Sequence, residues 1–389
     1  MSPRPTLGQI LRPFLAAPAA AALRLSPHQW KTLRHLSRCR TGALGGQAFY
    51  CPHCRREHVV AHSCRNRHCP HCQGAQAVDW LAQQAQALLP VPYFHLVFTL
   101  PHALNGLIRQ NRAALFKLLF NAASQTLLAF GSERLGAQLG LTAVLHTWSQ
   151  TLGDHYHLHC IVTGGGVAHD PGRWVATAPH YLFPVRALSR MFRGKYLAGL
   201  NGLFAAGQLA FHGDLQETAL TAPFTALLRQ AARPEWVVYA KRPFAGPAQV
   251  LAYLSRYTHR VAISPRRLLT TDGQTVTFAY KDYADGSRPK IMTLDTAEFV
   301  RRFALHVLPE RFVKIRHYGL LGNRRKQTRL AQARQLLGAA PPPASPPLPE
   351  LLRAPATAAA PACCPFCHRP GLVKIRDVPP SPAARFDSS

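Results

Sequence analysis

The sequence predicts an α+β fold built around an antiparallel sheet, with a small metal-binding module near the N-terminus. Strand-like and helical segments follow one another in the order β-α-β-β-α-β-α-β, which is typical of this class. Asp-Gly pairs at Asp272 and Asp285 indicate hairpin turns. Six of the ten cysteines lie between Cys39 and Cys72, interleaved with histidines. The 389 residues suffice for one large domain with smaller appendages.

The chain divides into five predicted regions. These are an N-terminal helical segment (1–38), a metal-binding module (39–80), a large domain (85–325), a Pro/Ala-rich linker (338–362) and a cysteine-bearing tail (363–389). Apolar periodicity and turn residues place the elements of the large domain. They are a strand at 91–101, a helix at 105–135, strands at 141–150 and 155–165 joined by a turn at 151–154, a helix at 181–200, a strand at 235–243, a helix at 246–260 and hairpins within 261–289.

The chain is strongly basic, with 46 Lys and Arg against 17 Asp and Glu and a formal net charge of +29. Self-repulsion of this size favours a polyanionic partner, so nucleic acid is expected; a merely solubilising basic surface is the alternative. No run of about 18 uninterrupted apolar residues indicates a membrane span. Residues 14–23 resemble a signal peptide only faintly. The arginines expected to contact DNA are Arg65, Arg67, Arg256, Arg260, Arg266 and Arg267.

The clustered cysteines predict bound zinc in a reducing cytoplasm rather than a secreted disulfide framework. Two CxxC pairs, Cys51/Cys54 and Cys69/Cys72, predict one four-thiolate zinc site. A second zinc site is proposed from the remaining ligands Cys39, His58, Cys64 and His68. The alternative is a set of reduced cysteines packed in a small core. In the tail, Cys363, Cys364, Cys367 and His368 offer a separate zinc site, and deletion of residues 340–389 is expected to spare catalysis.

Alternating histidines in the segment 154–166, DHYHLHCIVTGGG, predict a catalytic metal site. On a strand, His157 and His159 point to the same face while Leu158 points into the core. If the preceding strand pairs with this one, His146 joins them as a third ligand. His155 is the competing third ligand, and a hydrogen-bonded or solvated histidine pair is the alternative to metal binding. Open coordination positions would serve water and a phosphate oxygen.

Two tyrosines, Tyr253 and Tyr257, are the candidate nucleophiles. At four residues apart on a helix, they share one face. Ordinary amphipathic packing is the alternative interpretation. The chain has no GxxxxGK[ST] loop, so it shows no ATP-driven motor of its own.

Several motifs together resemble a known family. The segments HLHCIVTGGG, YLSRYTHRVAIS, SCRNRHCPHCQ and HVLPERFVKIRHYGLL are similar to those of two-tyrosine HUH transposases of the insertion-sequence-91 type. The resemblance implies an HUH-endonuclease-like antiparallel sheet with flanking helices. It also implies that His157 and His159 bind the metal and that Tyr253 and Tyr257 are nucleophiles. Related relaxases carry a third histidine on the neighbouring strand, which matches His146. One departure is Gln47, where the family often has His.

The resemblance implies a DNA transposase that nicks and rejoins single-stranded DNA at element ends. Mg2+ or Mn2+ would assist a phosphotyrosine mechanism of the rolling-circle kind, and Zn2+ would be structural. The implied partners are single-stranded element ends, target DNA and the host replication machinery, in the bacterial cytoplasm at the nucleoid. A plasmid replication initiator or relaxase, and a non-catalytic zinc-bearing nucleic-acid-binding protein, are the alternative functions.

Overall fold

The structure is a computed structural model that describes residues 4–170, 172–180, 182–244, 249–250, 260–341 and 363–381. Its helices and antiparallel sheets confirm the predicted α+β class. The helices are α1 (Leu7–Ala16), α2 (Pro27–Ser37), α3 (Gln73–Ala87), α4 (Asn105–Gln110), α5 (Arg112–Leu135), α6 (Val185–Ala205), α7 (Thr221–Ala232), α8 (Thr296–Leu305) and α9 (Lys326–Leu336). The strands are β1 (Gly46–Cys51), β2 (Arg56–Ala61), β3 (Tyr93–Thr99), β4 (Ala137–Trp148), β5 (Asp154–Ala168), β6 (Trp174–Ala176), β7 (Val238–Phe244), β8 (Leu268–Thr271), β9 (Thr275–Asp282), β10 (Arg288–Asp295), β11 (Ile315–Gly319) and β12 (Val373–Val378).

The central sheet has the strand order β11-β4-β5-β3-β7, and the short strand β6 pairs with β5. All of these pairs are antiparallel, as the sequence predicted. The long hairpin β4–β5 lies at the middle of the sheet. Its register sets His146 opposite His157 and Val144 opposite His159, within one residue of the predicted pairing.

One face of the central sheet packs on α5 and α6 and forms the main core. Residues of even number on β5, Tyr156, Leu158 and Cys160, point into this core, so the residues of odd number point to the opposite face. Helix α5 ends at Gly136, whose left-handed conformation (φ 59°) turns the chain directly into β4. The predicted single helix at 105–135 is divided at Asn111, whose side-chain amide donates to the carbonyl oxygens of Leu107 and Ala210.

Within the described part of the chain, α5 is the one helix long and apolar enough to cross a membrane by length and composition. Many of its side chains are buried in the main core, including Phe116, Leu119 and Phe120. A buried core helix can have the same length and apolar composition, so α5 is weak evidence for a membrane span.

A second core joins the two N-terminal helices to the predicted hairpins. Strands β8, β9 and β10 form a three-stranded sheet with turns at Asp272-Gly273 and Asp285-Gly286, as predicted. Leu33 of α2, Phe278 of β9 and Phe299 of α8 are all fully buried in this core. Helices α1 and α2 both begin at capping boxes, in which Thr6 pairs with Gln9 and Ser26 with Gln29.

The tail returns to the N-terminal module. Strand β12 pairs antiparallel with β1, which also pairs with β2, so the three strands form a separate sheet in the order β12-β1-β2. Residues 342–362 of the predicted linker lie outside the described residues. The tail is therefore part of the same structural unit as residues 46–61.

We expect Leu158→Ala to destabilise the protein by about 2–5 kcal/mol, because it opens a cavity in the core directly behind the two histidines of β5. Leu158 is fully buried. Leu158→Met, which nearly conserves volume, should cost less than about 1.5 kcal/mol. Urea unfolding followed by circular dichroism measures both; equal losses would contradict the packing described for Leu158.

Candidate functional site

Three histidines meet on the face of the central sheet opposite the main core. His146 on β4 is paired with His157 on β5, and His159 follows two residues later on the same face. One ligand nitrogen from each ring lies within 4.8 Å of the others. The structure thus brings together the three residues predicted as a metal-binding set, and all three are at least nine-tenths buried.

Hydrogen bonds orient two of these rings. His157 Nδ1–H donates to the carbonyl oxygen of His155 at 2.9 Å, which leaves Nε2 with its lone pair. His159 Nδ1 lies 2.9 Å from Nε2 of His95. When His159 offers Nε2 to a metal, its Nδ1–H donates to His95. Partners of this kind fix the tautomer and the ring orientation of metal-binding histidines.

Burial keeps the imidazoles neutral. It lowers the pKa of His157 to about 3, with the charges of His155 and Arg260 acting in the same direction. It also lowers the pKa of His159 well below its usual range, and repulsion from His146 and His157, were they protonated, acts in the same direction. The pKa of His95 falls to about 3, through burial and the charge of Lys241. Neutral rings are the form in which histidine binds metals.

His95 is a site residue that the sequence interpretation missed. It lies on β3, is 2% exposed, and stacks on His159 with ring centroids 5.2 Å apart. The period of two in β3 offered a signal, because Phe94 and Leu96 enter the core and His95 must therefore face the other way. The competing third ligand, His155, is not part of the group; its ring centroid lies 4.7 Å from that of His157, and its carbonyl group orients that ring.

Tyr253, Tyr257 and Arg256 lie outside the described residues, as does most of the predicted helix at 246–260. The chain enters this segment from β7, which pairs with β3 at the edge of the central sheet. It is described again from Arg260, whose charge lowers the pKa of both His157 and His159.

The cysteines form two clusters that differ from the predicted grouping. Cys39, Cys64, Cys69 and Cys72 form the first cluster, and Cys51, Cys54, Cys364 and Cys367 form the second. The predicted set of Cys51, Cys54, Cys69 and Cys72 is thus corrected, because the two CxxC pairs belong to different clusters. The first pair lies at the turn between β1 and β2, whereas the second lies at the start of α3.

The predicted second zinc set is half right. Cys39 and Cys64 do share a cluster, but the structure puts neither His58 nor His68 in it. His68 Nε2 instead accepts a hydrogen bond from the backbone N–H of Leu308 at 3.3 Å. His58 lies on β2 with its ring centroid 6.1 Å from that of Phe366.

The first cluster has the dimensions of a tetrahedral zinc site. Its sulfur atoms are 3.6 Å (Cys39–Cys69) and 3.7 Å (Cys39–Cys72 and Cys64–Cys72) apart. Zn–S bonds of about 2.3 Å in a tetrahedron need sulfur atoms about 3.8 Å apart. Disulfide bonds of about 2.05 Å do not match these distances. Four thiolates with no open position are typical of structural zinc.

Two of the arginines predicted to contact DNA are used inside the protein. Arg67 donates to the carbonyl oxygens of Pro309 (2.7 Å) and Phe312. Arg267 donates to those of Ala279 (2.8 Å) and Gln150. Burial lowers the pKa of Arg267 to about 10, with the charge of Arg260 acting in the same direction. These two side chains hold the fold together, and we withdraw them as DNA contacts.

Three of the predicted arginines, Arg65, Arg260 and Arg266, are exposed at the surface. Their exposure is compatible with DNA contact, which stays a prediction for each of them.

Comparison with known proteins gives two matching family models. The Y2_Tnp model, described as "Putative transposase", matches residues 140–329, a range that includes all three clustered histidines. A second model, described as "Transposase zinc-binding domain", matches residues 10–100. No solved structure matches the chain.

Two relatives are similar over most of their length. "Putative transposase y4qJ" of Sinorhizobium fredii is 44% identical over 377 residues, which cover 95% of both chains. "Transposase for insertion sequence element IS801" of Pseudomonas savastanoi pv. phaseolicola is 30% identical over 298 residues, which cover 76% of this chain and 70% of the relative. With both domain models matched and a relative named as a putative transposase 44% identical over nearly the whole chain, this protein belongs to the insertion-sequence-91 family of transposases.

Proposed function

We propose that this transposase cuts and rejoins single-stranded DNA at the ends of its element through a phosphotyrosine intermediate. The observation that carries the proposal is the cluster of His146, His157 and His159 on one buried face of the central sheet. Three nitrogen donors, of which the rings of His157 and His159 are held by hydrogen bonds and kept neutral by burial, are suited to a divalent metal that keeps open positions.

A divalent cation fits this donor set. The three ligand nitrogens lie within 4.8 Å of one another, and burial leaves the rings of His157 and His159 uncharged. Bound Mg2+ or Mn2+ supplies positive charge to the non-bridging oxygens of the phosphate under attack. Mn2+ is a softer ion than Mg2+ and accepts imidazole nitrogen more readily, so it is the better fit of the two. The carbonyl group of His155 and the ring of His95 keep the ligands in position.

Tyr253 and Tyr257 act as the nucleophiles in this proposal. The phenol oxygen of Tyr253 forms a bond to phosphorus while the bond from phosphorus to the 3' oxygen breaks. The phenol proton passes to water, and the leaving oxygen takes a proton to become a 3' hydroxyl group. The 5' phosphate stays on tyrosine, and Tyr257 is free for a second cleavage. Because the phosphotyrosine ester keeps the energy of the phosphodiester, an incoming 3' hydroxyl group can reverse the step without ATP.

The relatives favour a transposase over the two alternative functions. Both relatives carry transposase in their names, whereas a plasmid initiator or relaxase would share the chemistry but act at an origin. A non-catalytic DNA-binding protein would not require three buried histidines on one face. We propose that the protein acts in the bacterial cytoplasm, at the nucleoid. Its partners there would be single-stranded element ends, target DNA and a host polymerase that extends the 3' hydroxyl group.

We expect Tyr253→Phe to remove the covalent protein–DNA adduct formed when a labelled single-stranded element end is nicked once. Tyr257→Phe should retain that adduct but reduce complete transposition. Phe keeps the ring and its packing, so the loss reports the hydroxyl group. Mass spectrometry of the adduct identifies the tyrosine. An adduct on Tyr257 that survives Tyr253→Phe would reverse the two roles, and one that survives in the double variant would refute the mechanism.

We expect His157→Ala and His159→Ala each to reduce nicking by more than about 100-fold. Mutation of a residue that only hydrogen-bonds to a metal ligand already lowers metal affinity or activity by about 10–100-fold, and these two residues are the ligands themselves. Single-strand binding, measured by filter retention at fixed salt, should remain because charge elsewhere supplies the affinity. His155→Ala is the matched control, because it keeps the carbonyl group that orients His157. Loss of activity in His155→Ala combined with a fully active His146→Ala would reassign the third ligand.

His95 should act as a positioning residue for His159. Gln at position 95 can still accept a hydrogen bond from Nδ1–H, whereas Leu cannot. We therefore expect His95→Leu to raise the Mn2+ concentration for half-maximal nicking by about 10–100-fold, and His95→Gln to raise it less. Excess Mn2+ should restore nicking in His95→Leu. If metal restores nothing and both variants are equally impaired, His95 serves packing alone.

A further inference from the structure

The second cysteine cluster is assembled from opposite ends of the chain. Cys51 ends β1 and Cys54 lies in the turn after it, whereas Cys364 and Cys367 lie just before β12. The Sγ atoms of Cys51 and Cys367 are 3.6 Å apart, as are those of Cys54 and Cys364. This spacing matches the separation of about 3.8 Å that a tetrahedral Zn–thiolate site requires.

The two halves of the cluster have the same local geometry. Each has the sequence Cys-Pro-x-Cys followed by a residue in the left-handed conformation, Arg55 (φ 54°) and His368 (φ 59°). In each half, the N–H of that residue donates to the carbonyl oxygen of the first cysteine, at 2.8 Å for Cys51 and 2.9 Å for Cys364. Each turn therefore presents two sulfur atoms to the same side, and the two turns face each other.

Contacts other than the sulfur atoms also hold the tail in this place. Strand β12 pairs with β1 from Gly46–Val378 to Tyr50–Val373, with one bulge. Arg376 forms an ion pair with Glu57 of β2 at 3.1 Å. Phe366, between the two tail cysteines, has the guanidinium group of Arg56 5.0 Å from its ring centroid. The tail is thus seated on the β1–β2 hairpin along its whole described strand.

Two of the three strands of this sheet carry exposed apolar side chains. Val59, Val373 and Ile375 are 47%, 54% and 43% exposed, so much of the apolar surface of β2 and β12 faces solvent. A sheet of this size needs another source of stability, and a bound metal is the usual one in small modules.

We propose that Cys51, Cys54, Cys364 and Cys367 bind a structural Zn2+ that joins the two ends of the chain into one discontinuous zinc ribbon. This site is separate from the cluster of Cys39, Cys64, Cys69 and Cys72, so each chain binds two zinc ions. It replaces the expectation that the tail holds a zinc ion of its own. Cys363 and His368, which that site would use, are exposed and lie outside the cluster.

The zinc content of the purified full-length protein tests the proposal. The double variants Cys51→Ser/Cys54→Ser and Cys364→Ser/Cys367→Ser should each lose one zinc ion per chain. The variant with all four substitutions should also lose only one, because both pairs serve the same ion. Cys363→Ser is the matched control and should keep both ions. Loss of two ions in the fourfold variant, loss in the tail variant alone, or no loss in either double variant would each overturn the proposal.

A second measurement leaves all cysteines unchanged, so it also tests the proposal if the cysteine variants do not fold. A specific protease site inserted after Ser345 allows the chain to be cut between the body and the tail. The cut tail should co-elute with the body in the presence of Zn2+, separate from it after chelation and return when Zn2+ is added back. A few paired strand residues are not expected to hold the tail without metal. A tail that separates before chelation, or stays after all zinc has left, would refute a zinc-mediated junction.

Discussion

The register of the β4–β5 hairpin is the constraint on which the candidate site depends. A shift of one residue would turn His157 and His159 into the core and Leu158 out of it, because side chains alternate along a strand. The turn that sets the register is held by donors from elsewhere in the chain. Arg302 donates to the carbonyl oxygen of Thr151 at 3.1 Å, His306 to that of Leu152 at 3.0 Å, and Arg267 to that of Gln150. The turn is therefore fixed by Arg267, directly before β8, and by residues in and directly after α8, and not by its own sequence alone.

Burial gives the histidine cluster its chemical character. In water these rings would be partly protonated near pH 6.5 and would repel both one another and a cation. On the buried face of the sheet, desolvation lowers the pKa of His157 to about 3 and that of His159 further, so the rings stay neutral across the physiological range. Neutral rings still need their polar atoms satisfied, which the carbonyl group of His155 and the ring of His95 do for two of them. The same residues that reduce the cost of burying these rings therefore also aim their lone pairs.

Local patterns in the sequence were sufficient for the strands but not for contacts between distant segments. The period of two in residues 141–165 predicted the hairpin and the shared face of His146, His157 and His159, because register and alternation are local properties. The partners of Cys51 and Cys54 could not be predicted, because a CxxC pair specifies two ligands and leaves the other two to the tertiary fold. The arginines illustrate the same limit: Arg67 and Arg65 look alike in sequence, yet only Arg67 meets the carbonyl group of Pro309 at 2.7 Å. The position of His95 at the site could have been predicted, since the alternation of side chains along β3 defines the face of the sheet on which it lies.

The zinc-binding module and the histidine site share a core. Cys64, Cys69 and Cys72 of the first cluster belong to the same buried group as Leu152, which lies in the β4–β5 turn, and Phe303 of α8. Segment 308–312 adds polar contacts, since Leu308 donates its N–H to His68 and accepts a hydrogen bond from His28, at 3.3 Å and 3.1 Å. A metal bound by these cysteines would therefore stabilise the core on which the β4–β5 turn packs. If the histidine site acts as proposed, this shared core would let the N-terminal domain support catalysis through packing alone.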